Sequence, residues 1–376
     1  MALDYIQNGM GHGAVADRLC QENGDVGLMR PYIAQDGVPC VVVNTGTPES
    51  PEYEEVALED LGLNVNSASL QYDDWKRLDN KLIKVARERL RVYADLRAAN
   101  TYGGFNGMAT MVLQHETVSD PGKAHVDFDG LSESSRDLPV FQPEGTPLPI
   151  IHSGFHIATR RRMISANRGN PIDLVALEAS ARRCAEEVEL QTIGRNLGAS
   201  LNPQDYQIYG RRPLRNYGYT NFPQRVTKVD FTRPTTGGWT PATLVSEISD
   251  LIESLQANGF YGGNGGYMLY HTTDWSRYMR LDYSDQKGDN KLIDRLRDMD
   301  EIRDVRRVDV WQDPFSFVLV QMTSDVCEAI NGMEFTTVQW DTHGGFRKNF
   351  KVLGIQVARL HADQYGNCGI AHGTPL

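Results

Sequence analysis

The residues best suited to bind a metal are two histidines, His152 and His156, which stand four positions apart. Residues 151–158 alternate between apolar and polar or small side chains, and this pattern predicts a strand with one buried face. Four strand residues span about 13 Å, which is too far for two histidines that must each reach one zinc ion at about 2 Å. We therefore interpret the pair as part of a polar strand face.

Two further motifs resemble binding loops but are incomplete. Asp127 and Asp129 precede Gly130 as in part of a calcium loop, yet the third acidic position and the closing glutamate are missing. The glycines of residues 262–266 do not form a dinucleotide fingerprint, because Met268 stands where the third glycine belongs and the cluster precedes a predicted strand. We interpret these motifs as solvated carboxylates and a glycine-rich turn.

The other chemical candidates are weaker. Gly122 and Lys123 lack the upstream glycine and the following serine or threonine of a phosphate loop. Cys184 lies on the apolar stripe of a predicted helix with no adjacent base, which favours a packed thiol over a nucleophile. The motifs G-x-S-x-G and H-E-x-x-H do not occur. The sequence therefore predicts no enzyme, no cofactor and no metal.

The composition is that of a soluble globular protein. The chain has 376 residues, of which 40% are hydrophobic and 23% are charged, and this length predicts two or three compact units. The five cysteines are widely spaced without a C-x-x-C pair, which fits a reducing compartment. No apolar run approaches the roughly 18 residues of a membrane span, and no apolar signal segment precedes residue 13. We expect neither membrane insertion nor secretion by a signal peptide.

The charge is unevenly distributed along the chain. The net charge is −11, and residues 1–70 hold eleven acidic against two basic residues. The other residues hold nearly balanced charge, so sequence-specific DNA binding is not expected. The only basic run is Arg160, Arg161 and Arg162, which we interpret as a solvated strand end, with nucleic-acid contact as the alternative.

The N-terminal half predicts long elements without a compact core of their own. Residues 1–70 lack helical periodicity and are expected to be disordered or to form an extended arm. An amphipathic helix is predicted from residue 72 to about 96. Residues 108–118 and 124–128 are predicted to pair as a hairpin around Pro121, Gly122 and Lys123. Because an isolated hairpin is marginal in water, a partner chain is expected to stabilise it.

The C-terminal half mixes helices and strands, which indicates the α+β class. A long helix is predicted at 171–194, and residues 196–238 are rich in loop-forming side chains. Thr240 and Pro241 predict the start of another helix, which Asn258-Gly259 ends. Further helical stretches are predicted near 273–280 and 290–297, and strands at 267–271, 305–311, 317–322, 334–340 and 350–360.

This order of elements resembles the tailed-phage major capsid fold, which bacterial encapsulin shells share. The most specific local likeness is Gly266–Leu269 followed by Thr273, Asp274 and Trp275, which is similar to an encapsulin strand and its following Thr-Asp and Trp. Weaker likenesses to encapsulins are residues 74–79, 148–150, 186–194 and 346–357.

The resemblance implies a division of the chain into named parts. These are an extended N-terminal arm (1–70), a peripheral domain (71–225) with an extended loop (108–150) and a spine helix (171–194), an axial domain (226–331), and a return to the peripheral domain with a C-terminal tail (332–376). It also implies pentamers and hexamers that close into an icosahedral shell.

The long arm and loop favour a phage capsid over an encapsulin. We therefore predict a virion protein, assembled in the host cytoplasm, that self-associates and contacts packaged DNA non-specifically. Decoration, portal or scaffolding proteins are further candidate partners, and the expected assembly contacts are Pro121, Gly122, Lys123 and Arg160–Arg162. The alternatives are an encapsulin shell around a cargo enzyme, and a cytoplasmic enzyme with an unrecognised site.

Overall fold

The computed structural model describes residues 5–7, 10–12, 31–34, 36–44, 52–61, 90–118, 141–167, 174–194, 204–206, 214–283, 290–363 and 365–375. The chain divides into two units. The first comprises Met1–Ala86, His152–Cys184 and Phe335–Gly354, and the second comprises Arg87–Ile151, Ala185–Glu334 and Ile355–Leu376. None of the helices in the described stretches combines the length and the apolar character needed to cross a bilayer.

Helices and strands intermingle along the chain, as the α+β prediction requires. The helices are α1 (Val92–Ala99), α2 (Thr159–Asn167), α3 (Leu174–Ile193), α4 (Pro241–Ala257) and α5 (Leu292–Arg297). The strands are β1 (Tyr5–Gln7), β2 (Met10–His12), β3 (Tyr32–Ile33), β4 (Pro39–Asn44), β5 (Tyr53–Ala57), β6 (Thr101–Tyr102), β7 (Val112–Val118), β8 (Phe141–Pro147), β9 (Ile151–Ala158), β10 (Gln204–Tyr206), β11 (Leu214–Asn216), β12 (Val226–Phe231), β13 (Tyr267–His271), β14 (Ile302–Arg307), β15 (Phe317–Gln321), β16 (Cys327–Thr342), β17 (Arg347–Leu360) and β18 (Ile370–Pro375).

The second unit is built around a five-stranded mixed sheet in the order β12-β18-β15-β13-β14. Every residue of the apolar strands β13 and β15 is buried, as expected for strands covered on both faces. Helices α4 and α5 add buried leucines and isoleucines to the same core, which contains Leu244, Ile248, Leu251, Leu292 and Leu296. The predicted start of α4 is confirmed, since the Thr240 side chain accepts from the Thr243 N–H.

Strand β18 is an element that the sequence analysis did not anticipate, because residues 361–376 were expected to be a tail. It lies inside the sheet, parallel to β12 and antiparallel to β15. Gly373 permits this position: a Cβ there would stand 2.4 Å from the Phe317 ring. The loop-rich stretch before residue 238 likewise contains β12 and the short pair β10–β11.

The spine helix α3 agrees with the prediction over its described length. Its stripe Leu177, Ala181, Cys184 and Val188 is buried, with exposed fractions of at most 2%. The helix ends at Gly194, whose φ of +116° lies in the left-handed region that glycine tolerates. The predicted cap at Asn170 lies outside the described residues.

A second sheet has the strand order β6-β16-β17-β9. The predicted strand 334–340 lies in the C-terminal half of β16. Strand β16 starts earlier, at Cys327, and its residues belong partly to each unit. The strand predicted at 151–158 is confirmed with its alternation: Ile151 and Ile157 are buried, whereas His152 and His156 are exposed.

The N-terminal region differs from the expected arm because part of it folds. Strands β3, β4 and β5 form an antiparallel sheet in which Val41 pairs with Val56. Its first turn uses Gly37 at φ +86°, and the side chains of Val41 and Leu58 are fully buried. The β-branched run 41–43 explains the sheet, since such residues favour strands.

Two other expectations are corrected. Strand β7 pairs with β8, from Val112↔Pro147 to Val118↔Phe141, a partner that was not predicted; the predicted partner, residues 124–128, lies outside the described residues. The helix predicted over residues 72–96 also differs from the structure, because Leu90 and Arg91 are not helical and α1 begins at Val92. Residues 72–89 lie outside the described residues.

Candidate assembly elements

The base of the β7–β8 hairpin is anchored firmly within the second unit. Leu148, just after β8, donates its N–H to the Met111 carbonyl at 2.9 Å. Its side chain is buried against Ile330, Ile355 and Val357, and Leu113 of β7 packs against the same cluster. The hairpin therefore leaves this unit from a fixed position.

Strand β8 is also held from β11. The Asn216 side-chain amide donates to the Pro147 carbonyl at 3.0 Å. Gly145 lies so close to β7 that a Cβ there would stand 2.8 Å from the Val112 side chain, with Leu214 at 3.7 Å. Seven residues in each strand carry the hairpin about 23 Å along its own axis.

Of the six predicted assembly contacts, the structure describes the backbone of the three arginines. Pro121, Gly122 and Lys123 lie outside the described residues. Arg160, Arg161 and Arg162 lie in the first turn of helix α2, so the expected strand end is wrong. The side chains of Arg160 and Arg161 are exposed, and that of Arg162 lies outside the described set. The run has no apolar periodicity around it, which is why the sequence did not reveal the helix.

The start of α2 is fastened to the turn that joins β16 and β17. Thr159 donates its N–H to the Phe346 carbonyl at 2.9 Å and its hydroxyl to the Gly345 carbonyl at 2.7 Å. His156 lies 2.7 Å from an Arg347 guanidinium nitrogen, and the rings of Phe155 and Phe350 stack at 5.1 Å. These contacts place the arginines of α2 next to the turn.

The turn itself exposes an aromatic residue that the sequence analysis did not single out. Three consecutive residues with positive φ, His343, Gly344 and Gly345, reverse the chain, and the side chain of Phe346 is 75% exposed. The sequence did carry a signal for this turn: the pair of glycines between two predicted strands favours a tight turn.

A buried carboxylate connects helix α3 to the start of α1. Glu189, only 1% exposed, accepts the backbone N–H groups of Arg91, Val92 and Tyr93 at 3.1, 2.7 and 3.2 Å. These are N–H groups that a helix start leaves unpaired. Burial nevertheless raises the pKa of the Glu189 carboxyl to about 7, because desolvation outweighs the three hydrogen bonds. The start of α1 is thus stabilised by hydrogen bonds to a side chain of helix α3, which is distant in the sequence.

Helix α1 is fixed to strand β13 and to the end of β14 by a second carboxylate. Asp95 accepts from the Tyr270 hydroxyl at 3.0 Å and forms an ion pair with Arg306. Arg306 also pairs with Asp304 at 2.9 Å, and Arg297 reaches the same carboxylate at 3.0 Å. Together with Glu189, this network positions the segment that leads into the hairpin.

Cys184 and His156, which the sequence offered as candidates for chemistry, lie in surroundings that favour packing over reaction or metal binding. Cys184 is buried and desolvation raises the pKa of its thiol to about 11, so the packed-thiol prediction is confirmed. The Arg347 guanidinium next to His156 places a positive charge where a metal ion would have to bind. No group of three or more metal-ligating side chains occurs within the described ranges.

Comparison with known proteins identifies one family and one fold. The model of a family described as "Family of unknown function (DUF6260)" matches residues 64–367. No match is found among curated proteins.

Solved structures of capsids and a virus-like particle are among those that match. The chain of a virus-like particle from Pyrococcus furiosus gives a TM-score of 0.55 at 11% identity, over 80% of this chain and 99% of that one. The capsid of Myoviridae phage XM1 gives 0.55 at 10% identity, over 74% and 90%. The capsid of a native GTA particle gives 0.50 at 10% identity, over 76% and 92%. The predicted capsid fold is therefore confirmed.

Proposed function

This chain belongs to the family of unknown function DUF6260, and we propose that it is the major capsid protein of a tailed phage. Its pentamers and hexamers close into an icosahedral shell that encloses phage DNA. The protein acts as a building block, and its function is self-assembly without catalysis.

The observation that carries this proposal is the fold, which this chain shares with capsid subunits along most of their length. Shell subunits must bind one another through unlike surfaces, because such contacts close into rings when the rotation between subunits closes. A chain with this fold is best explained as a shell subunit.

The hairpin β7–β8 supports the same proposal. Its base is anchored at Leu148 and Asn216, whereas half of the residues in its two strands are polar. A two-stranded hairpin is marginal in water without a further surface to cover it. In a shell, a neighbouring subunit provides that surface.

The direct test is to express the chain and examine the product by sedimentation and negative-stain electron microscopy. The proposal predicts closed particles of uniform size that sediment far faster than a subunit of 42.1 kDa. A monodisperse monomer or small oligomer under all assembly conditions contradicts it and favours the cytoplasmic enzyme as the alternative.

A second candidate is an encapsulin compartment around a cargo enzyme, and it is favoured by the likeness to the virus-like particle. Particles purified from the natural source separate the two. After nuclease treatment, protected DNA indicates a virion, whereas a co-purifying enzyme without DNA indicates a compartment.

The remaining parts of the proposal concern location and partners. We propose assembly in the host cytoplasm, with an N-terminal region (1–70), a peripheral region (71–225 and 332–360) and an axial region (226–331, joined by strand β18) each contacting other subunits. Decoration, portal and scaffolding proteins are additional partners, and DNA is contacted without sequence preference. Mass spectrometry of purified particles tests these partners.

A further inference from the structure

One end of the first unit exposes apolar and basic side chains together. We call it the basic tip and define it as helix α2 with residues 343–347. Phe346 is 75% exposed, Met163 is 64% exposed and Ile164 is 47% exposed. Met163 and Ile164 follow Arg160 by three and four positions, so the three side chains are neighbours on the helix surface. Clustered exposed apolar side chains mark interaction sites more often than scattered ones do.

The surroundings of the basic tip are positively charged. Residues 152–167 contain three arginines and no acidic residue. Residues 335–354 contain Arg347, Lys348 and Lys351 and one acidic residue, Asp341. The contacts of Thr159 with the turn bring these two segments together, so their charges add. This surface therefore fits a negatively charged partner.

Such a partner surface exists in the same unit of the chain. Residues 31–61 contain seven acidic residues and no basic one. Strand β5 lies at the edge of the sheet β3-β4-β5, and its residues Tyr53, Glu54 and Glu55 are exposed. An edge strand of this kind offers backbone groups, carboxylates and, through Tyr53, apolar area.

We propose that the basic tip of one subunit binds the acidic strand β5 of a second copy of this chain. Arg160 and Arg347 face Glu55 of that copy, and Phe346 and Met163 cover its Tyr53, which lies on the same face of β5 as Glu55 because strand side chains alternate between the two faces. Among the described residues, no ion pair joins Glu54 or Glu55 to Arg160 or Arg347 within one molecule. The inference rests on the proposed function, because it names one contact of the shell.

Two unlike surfaces on one chain make a heterologous contact. Each subunit then donates its tip to one neighbour and its acidic strand to another, and the series closes only if the rotation between neighbours closes. Opposite charge also favours encounter of the correct surfaces and disfavours contact between two tips or two acidic strands.

A charge-swap experiment tests the contact. Glu55→Lys and Arg160→Glu are made singly and together, and the fraction of protein in closed particles is measured by sedimentation at about 0.1 M salt, where charges act over about 10 Å. Each single variant is expected to lose at least about tenfold in particle yield, because the weak repulsion at one exposed pair is multiplied over every contact of a shell. The combined variant restores the attraction and is expected to return to within about twofold of the unchanged protein.

Controls separate folding from assembly. Glu253→Lys changes the charge equally at an exposed position of helix α4 and is expected to assemble normally. Circular dichroism and thermal unfolding establish that each variant is folded. Single variants that assemble like the unchanged protein, or a combined variant as defective as the single ones, overturn the proposed contact while leaving the capsid function intact. If the unchanged protein itself forms no particles, the proposed function fails first.

Discussion

The buried Glu189 is a residue whose effect on stability depends on pH. Burial raises the pKa of its carboxyl to about 7, so the folded state keeps a proton that the unfolded chain releases near pH 4.3. The stability that this group contributes is complete below about pH 4 and is lost as the pH rises through 7. At about 1.4 kcal/mol per pKa unit, the loss over the whole titration is up to about 4 kcal/mol.

We therefore expect Glu189→Gln to weaken the pH dependence of unfolding. Urea titrations at about pH 5 and pH 8 measure the free energy of unfolding of both proteins, and the unchanged protein should lose up to about 3 kcal/mol more than the variant. Glu253→Gln, at an exposed position of α4, is the control and should leave the difference unchanged. Equal pH dependence of Glu189→Gln and the unchanged protein would contradict this account of the buried carboxyl.

Gly373 is a residue at which one methyl group is costly. Its Cβ would stand 2.4 Å from the Phe317 ring inside the five-stranded sheet, so Gly373→Ala must displace a packed aromatic side chain. We expect a loss of about 1–3 kcal/mol in unfolding free energy, measured by denaturant titration.

The matched control is Gly103→Ala, where no atom lies within 4 Å of the added methyl group. Its effect should stay within about 0.5 kcal/mol. A Gly373→Ala protein as stable as this control would mean that the Phe317 ring moves aside without cost.

Among the elements, the hairpin β7–β8 can be removed without touching the core. Replacing residues 114–145 with a short glycine-serine turn keeps Val112 and Leu113 paired with Pro147 and Thr146, and it keeps Leu148 buried. We expect a folded subunit whose thermal midpoint changes by a few degrees and which no longer builds closed shells, as seen by negative stain. Closed shells from this variant would refute the hairpin's role in assembly.

The elements also reveal what a single sequence can predict. Helix α4 and strand β13 were predicted at or within one residue of their ends, because a Thr-Pro start, a regular apolar stripe and an uninterrupted apolar run are local signals. Strand β8 contains two prolines and a glycine, and its pairing with β7 spans a long connection, so neither composition nor periodicity indicates it.

Of the assembly elements, the sequence predicted the charge split and the existence of a projecting hairpin. It did not predict the folded N-terminal sheet, the helical start at Arg160 or the exposed Phe346. These depend on contacts such as Thr159 with Gly345, which join residues far apart in the chain. Tertiary contacts of this kind override local preferences.

For the whole molecule, the charge distribution predicts weak binding to DNA. The net charge is −11, and the excess of acid lies in residues 1–70, so few phosphates can be neutralised. If the chain forms a virion shell as proposed, weak binding would leave the packaged DNA mobile during filling and release. Fluorescence anisotropy with duplex DNA at about 50 mM salt should give no binding tighter than about 10 µM, a weak non-specific affinity. Tight, steeply salt-dependent binding of the duplex would contradict this prediction of weak DNA binding.

Strand β18 lies between β12 and β15 in its sheet but is synthesised long after β12. Strand β12 leaves the ribosome about 150 residues before Pro375, which is about 7–30 s at ordinary translation rates. Until then β12 lacks its neighbour, and the edge of β15 is open. An unfinished nascent chain therefore cannot complete this sheet. If the chain assembles into a shell as proposed, this topology excludes partial translation products from the shell.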